Sequence, residues 1–425
     1  MNKKPIKLSV VMQWNSEICK HCNACVTVCE LIQKVNALRF ENNILKCDES
    51  KCTYCGQCLS HCPVNALFDE VSNLKAVKKA ISKGKYVVAQ IAPAVRASFG
   101  EFYGMIGENV KYKIAEALKK VGFREVYDIN LGADITALEE AHEFLEFKNE
   151  NKTLFSSCCP AWVLYAKHFY PEVYKNLSLT KSPHLCLGSL IKHHLEKEKS
   201  IRKKDVFVVS IMPCTAKKHE IKWSSAKTQG IKDVDAVLTT RDLYELFKEH
   251  NIDFTSLKGV KFDELSIYSG GAAVFGRSGG VSLAIMRSIY EILTGSEYRK
   301  GAIKIKEKMI KPEVKEIGFF VKDKRFKICV VYGLGNVVEV LNKSYDFVEV
   351  MACPYGCIGG GGQPKSFNPA VIAKRREVLD KEDEGLIYKA PTSNPLLKEL
   401  YGKYSIKPGN DVARKMFYRL SKKTR

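Results

Sequence analysis

The sequence predicts an α/β protein, with mostly parallel sheets flanked by helices, behind a smaller α+β unit dense in cysteine. Short β-branched apolar runs, KYVVAQIAP, DVFVVSIMPC, FKICVVYG and DFVEVMAC, read as strands buried on both faces. Between them lie helical patterns, VKYKIAEALKKVG, DITALEEAHEFLEF and HLCLGSLIKHHLEKE. Alternation of strand with helix is the mark of covered parallel sheets. A third observation sets the boundary: two four-cysteine runs open the chain, and the composition changes near residue 76. The expected division is residues 1–75 and 76–425.

The first unit is defined by its cysteines. CKHCNACVTVC places Cys19, Cys22, Cys25 and Cys29 at x2, x2, x3 spacing, and CTYCGQCLSHCP repeats it with Cys52, Cys55, Cys58 and Cys62 before Pro63. This is the bacterial ferredoxin spacing for two 4Fe–4S clusters, in which the fourth cysteine of each run serves the other cluster. Crossover assigns Cys19, Cys22, Cys25 and Cys62 to one cluster, and Cys52, Cys55, Cys58 and Cys29 to the other. A zinc ribbon uses separated C-x2-C pairs, which does not match two runs of four. The first run is followed by Glu30 in place of proline, and Cys47 stands outside both runs. Two such clusters make a wire for single electrons, and a wire implies a redox site at its inner end.

In the second unit, functional residues are expected at the carboxyl ends of strands. Cys214 follows VFVVSIMP, Cys353 follows FVEVMA, and SSCCPAW follows the shorter candidate strand TLF. Cys159, Cys214, Cys353 and Cys357 could ligate a third cubane, leaving Cys158 spare beside them. The glycines at 359–362 in CPYGCIGGGGQP are expected to keep side chains out of the space that bulky clusters need and to let the backbone approach closely or take positive φ. YGLGNVV (332–338) follows a strand but has Val338 where a dinucleotide fingerprint has its third glycine, so it reads as a tight turn after the strand.

The remaining composition is that of a globular chain, 45% hydrophobic and 27% charged. No apolar stretch approaches the ~18 residues of a membrane span, and the N-terminal segment lacks the pattern of a signal peptide. A cytoplasmic protein without membrane partners is expected. The formal charge is +21, but its lysines are dispersed, with no aromatic-interleaved patch of the kind nucleic acid would need. The excess suits an acidic electron-carrier protein better.

Three long motifs then resemble a known family. FSSCCPAW (155–162), MPCTAKKHE (212–220) and EVMACPYGCIGGGGQP (349–364) are similar, in order and spacing, to the signatures of FeFe hydrogenases, many of which carry ferredoxin-like cluster runs ahead of them. The resemblance extends from about residue 15 to the end. It implies a catalytic domain of two lobes and an H-cluster: a 4Fe–4S cubane joined through one cysteine sulfur to a di-iron unit with carbon monoxide, cyanide and a bridging dithiolate amine. Carried over, Cys159, Cys214, Cys353 and Cys357 hold the cubane, and Cys357 is the bridging thiolate. Lys217 donates to a cyanide, and Ala92 and Pro93 contact the other. Met212 and Met351 pack near the bridging carbonyl, and Pro183 and Phe275 line the wall.

The resemblance also implies a proton relay: Glu143, Ser178, Glu140 and Cys158. Glu140 and Glu143 are three residues apart and share a helix face, and burial is expected to raise their pKa values. Four departures stand out: Phe147 where an arginine often ends the relay, His184 where glutamine is usual beside the di-iron pocket, Ser156-Ser157 for Thr-Ser, and Ala161 for a glycine. The expected activity is reversible hydrogen formation with electrons from ferredoxin, the di-iron unit being installed by maturation proteins. A slow hydrogen sensor and an iron–sulfur assembly scaffold without the di-iron unit are the alternatives.

Overall fold

The computed structural model describes residues 5–366 and 368–419. Its centre is a four-stranded sheet in the order Ala236–Thr239, Val206–Met212, Tyr86–Ile91, Glu125–Asp128, with every pairing parallel. The β-branched runs expected to be buried strands occupy its middle, with Val87, Val88, Val208 and Val209 wholly buried. Helices Lys111–Val121 and Pro183–Lys199 contribute Ile114, Leu118, Leu187 and Ile191 to the same core.

A second, five-stranded sheet runs Ile305–Lys311, Val314–Val321, Lys324–Tyr332, Phe347–Met351, Leu154–Phe155. Its last two pairings are parallel and its first two antiparallel. The lysine-rich segment KIKEKMIK is, from Ile305 to Lys311, the edge strand of this sheet, with almost every side chain exposed. Lysines along an unpaired edge keep it from recruiting another strand. The Asn130–Asn149 helix packs against both halves: Leu131 and Ile135 belong to the core of the first sheet, Ala137 and Phe144 to that of the second.

The cysteine-rich segment carries a three-stranded antiparallel sheet, Ile6–Lys7, Met12–Trp14 and Leu67–Asp69, and a hairpin, Leu38–Glu41 with Ile44–Cys47. Asn42 and Asn43 turn the hairpin with φ of 49° and 63°, the left-handed pair that a two-residue hairpin loop requires. This segment seats on the sheet-bearing region by specific contacts. Thr215 Oγ1 donates to Tyr54 O (2.7 Å), Gln57 Nε2 to Gly359 O (3.1 Å) and Lys218 Nζ to Glu70 O (3.0 Å). YGLGNVV is indeed a turn, running into a short 3-10 helix. Its Gly335 has a seating role, since a Cβ there would stand 2.6 Å from Ile32 O. Among the described residues no helix is long and apolar enough to cross a membrane.

Candidate metal centre

The carboxyl ends of four parallel strands face one cavity of about 760 Å³. Ala92 and Pro93 follow Tyr86–Ile91, Pro213 and Cys214 follow Val206–Met212, Ala352 and Cys353 follow Phe347–Met351, and Cys158 and Cys159 follow Leu154–Phe155. Met212, Met351, Lys217, Pro183, Phe275 and Cys357 complete the set of sequence-predicted residues on its wall. Burial pushes up the thiols of Cys159, Cys214 (to about 12), Cys353 and Cys357, and repulsion among them adds to the effect for the last three. Two helices, Pro160–Phe169 and Pro183–Lys199, each begin with a proline that lines the cavity. Their N-termini therefore point partial positive charge into a space where thiolates and an anionic group would gather.

A second cavity, of about 390 Å³, is lined by Cys29, Cys52, Cys55 and Cys58. That is one of the two crossover sets. Of the other, Cys19, Cys25 and Cys62 draw together, since Cys62 and Cys19 raise the thiol of Cys25, after burial, while Cys22 is exposed. Cys55 in turn contributes to the raised pKa of Cys353, so the second cavity adjoins the first. Among the described residues no three His, Cys, Asp or Glu side chains converge as ligands of a single ion. Thiols spread around a cavity suit a cluster, whose ligands are held apart by the cluster itself. The donor chemistry, the enclosed volumes and the helix termini thus fit iron–sulfur groups.

The glycine run serves the close backbone approach expected of it more than it clears space for a cluster. Only Gly360 borders the large cavity, and the four glycines press mainly on backbone. A Cβ on Gly359 would lie 2.1 Å from Pro354 O, on Gly360 2.2 Å from Pro213 O, and on Gly361 2.2 Å from Cys55 O; on Gly362 it would approach Pro213 and Thr239 at 3.0 Å. The run is a close-packed seam that brings the Cys55 loop against the Cys357 loop. Gln363 locks it, its Nε2 donating to Ala94 O (2.8 Å) and its Oε1 accepting from Ser98 and Thr240 (each 2.7 Å).

On one side of Cys158, Glu140 is fully buried; its Oε1 accepts from Ser157 N at 3.4 Å, and its Oε2 has no hydrogen-bond partner among the described residues. Burial, then repulsion from Glu143, pushes its pKa up to about 8, against the opposing pull of hydrogen bonding from Ser178 and the Ser157 amide. The Cys158 thiol is raised by burial and then by Glu140. Ser178 Oγ donates to Glu143 Oε2 at 2.8 Å, and Leu179 N donates to the same carboxylate. Beyond Glu143 a cleft of about 320 Å³ is lined by His142, Glu146, Gly409, Arg414 and Tyr418 among others. Phe147 is packed into the core; the basic group at this outer end is Arg414, from the C-terminal segment.

On the other side, Lys217 Nζ donates to Cys158 O (3.0 Å) and to Glu220 Oε2 (2.7 Å). Glu220 also accepts from Ser182 Oγ (2.9 Å) and lies 2.7 Å from His184 Nε2. Burial opposes its charge, but Lys217 and His184 hold the Glu220 carboxyl well below the usual range. His184 lies behind the wall formed by Pro183, with both ring nitrogens engaged away from the cavity. Sequence reading missed Glu220, although K-x-x-E on a helical turn is a readable i, i+3 pair. It also missed Gln363 and Arg419, which donates to Ser157 O.

Comparison with known proteins agrees with this architecture. Residues 85–361 match the domain family described as "Iron only hydrogenase large subunit, C-terminal domain", and residues 48–68 match a 4Fe-4S binding domain. Iron hydrogenase 1 of Clostridium pasteurianum is 36% identical over 94% of this chain and 74% of its own length. The NADP-reducing hydrogenase subunit HndD of Solidesulfovibrio fructosivorans is 35% identical over 98% and 75%. Protein NAR1 of Arabidopsis thaliana is 28% identical over 86% and 84%. A HydA1 [FeFe]-hydrogenase variant from Chlamydomonas reinhardtii superposes with a TM-score of 0.72 at 31% identity, covering 82% of this chain and 98% of that one. The chain belongs to the iron-only, or [FeFe], hydrogenase family.

Proposed function

We propose that the protein is a catalytic [FeFe] hydrogenase, interconverting two protons and two electrons with H2. The observation that carries this reading is one cavity that gathers four candidate cubane cysteines, a spare thiol at Cys158 and an ammonium at Lys217, backed by a buried carboxyl whose pKa of about 8 suits proton exchange. Cys159, Cys214, Cys353 and Cys357 would hold the cubane of an H-cluster, with Cys357 bridging to the di-iron unit. When bound, the H-cluster supplies the redox centre at which protons and electrons combine.

The chain's own residues do the rest. Lys217, Ala92 and Pro93, on the cavity wall, would hold the cyanides of that group, Lys217 through its ammonium. Met212, Met351, Pro183 and Phe275 keep water off the di-iron side. The Cys158 thiol is the final proton donor; Glu140 reloads it, and the Ser178 hydroxyl links Glu140 to Glu143, which exchanges with solvent through the cleft beside Arg414. A group that must both hold and release a proton near neutral pH needs a pKa near that pH. The two crossover cysteine sets would hold 4Fe–4S clusters, which supply one-electron transfer when bound, and the set with Cys55 lies against the glycine seam. Residues 1–75 form the cluster-bearing domain and 76–425 the catalytic one. An acidic carrier such as ferredoxin suits the +21 charge, and maturation proteins would install the di-iron unit.

A likeness to the cytosolic Fe-S cluster assembly factor narfl of Danio rerio keeps an assembly scaffold as the second reading. Cys158, Lys217 and the acid chain would have no task in a scaffold. The test is hydrogen evolution by matured protein with reduced ferredoxin. Turnover that depends on maturation, with a Michaelis constant for ferredoxin that rises with salt as screening shortens the reach of charge, is expected. No turnover from iron-replete, matured protein would overturn the catalytic reading.

A further inference from the structure

We infer that His184 is a positioning residue for Lys217, acting through Glu220 rather than by touching the contents of the cavity. The inference rests on the proposed function and adds to it a residue whose role is indirect.

The geometry is a directional chain from the central sheet to the cavity. Gln90 Nε2, on Tyr86–Ile91, donates to Ser210 Oγ at 2.6 Å and to His184 O at 2.8 Å. Ser210 Oγ lies 3.1 Å from His184 Nδ1, and His184 Nε2 lies 2.7 Å from Glu220 Oε2. A carboxylate can only accept, so Nε2 carries the proton. Burial, then the Lys217 charge, lowers the ring's pKa to about 4, so the imidazole is neutral and Nδ1 accepts from the Ser210 hydroxyl. Each hydrogen in the chain then has one direction, and none is left to rotate.

Both oxygens of Glu220 are engaged, Oε1 by Ser182 and Oε2 by His184 and Lys217. An ammonium has three donors. Glu220 and Cys158 O take two of them, so the third is left on a side chain that lines the cavity. Its direction is set by where Glu220 stands, and Glu220 is held by His184 to the sheet. A ligand's remote hydrogen-bond partners fix its orientation in this way at many metal sites.

Infrared spectra of matured protein test the inference. His184→Leu removes the donor to Glu220, and the expected result is displaced bands of metal-bound cyanide at unchanged iron content. His184→Gln places an amide N–H near the Nε2 position and should return the bands towards wild type. If His184→Leu does not fold, His184→Asn, whose amide stops short of Glu220, should displace the bands instead. Cyanide bands at the wild-type positions in the Leu or Asn variant would overturn the positioning role. Absence of these bands from the wild type itself would instead overturn the hydrogenase reading beneath it.

Discussion

Two buried glutamates flank Cys158, and their surroundings drive them in opposite directions. Glu140 has a neighbouring carboxylate, a weak backbone donor at 3.4 Å and one oxygen without a partner, and its pKa rises to about 8. Glu220 has an ammonium at 2.7 Å, an imidazole and a hydroxyl, and it stays ionised. Both are wholly buried, so depth alone decides nothing; the partners decide. One side of the cavity is thus fitted to exchange a proton and the other to hold a fixed charge, the division seen wherever two carboxyls share a site in different roles.

The comparison breaks most visibly in turnover. Glu140→Gln and Cys158→Ala should each lower hydrogen evolution by roughly 10²–10⁴-fold, the usual worth of a positioned proton donor, while iron content and fold stay intact. Unchanged activity in either variant would remove the relay. Glu220→Gln should act on stability as well as on the direction of Lys217. Removing one partner of a buried ion pair leaves Lys217 uncompensated, at a cost of about 3–5 kcal/mol, read by denaturant unfolding of the metal-free chain.

A smaller effect concerns pH, and its sign differs between the two sides. Glu140 titrates at about 8 folded against an ordinary 4.5, so its contribution is fully present below about 4.5 and is lost as pH rises towards 8. Glu220, held below 4.5, contributes above that value and loses its contribution as pH falls through its lowered folded pKa. Other buried carboxyls such as Asp134, raised to about 7 mainly by burial, share the first trend. The useful quantity is therefore a difference. The stability of Glu140→Gln relative to wild type should grow between pH 4.5 and 8, and a flat difference would place the raised pKa elsewhere.

These contrasts also show what the sequence could and could not reveal. Cysteine spacing is a local property, so both four-cysteine runs, and the strand-end cysteines now lining one cavity, were readable in advance. Buried parallel strands were readable because both faces are apolar. The antiparallel extension was not: Ile305–Lys311 is exposed along its length and carries no apolar run to betray it. That the glycines allow close backbone approach was readable, but not which backbone they meet, since it is distant in sequence: Gly361 meets Cys55 and Gly360 meets Pro213. His184 looked like a cavity residue from its place after Pro183; only the fold reveals Glu220 and Ser210 on its ring nitrogens.

The most direct measurement is the infrared spectrum of anaerobically purified, matured, iron-replete protein. A catalytic [FeFe] hydrogenase predicts bands from metal-bound carbon monoxide and cyanide. Their absence from protein that carries its full iron–sulfur complement would contradict it and favour a scaffold without the di-iron unit.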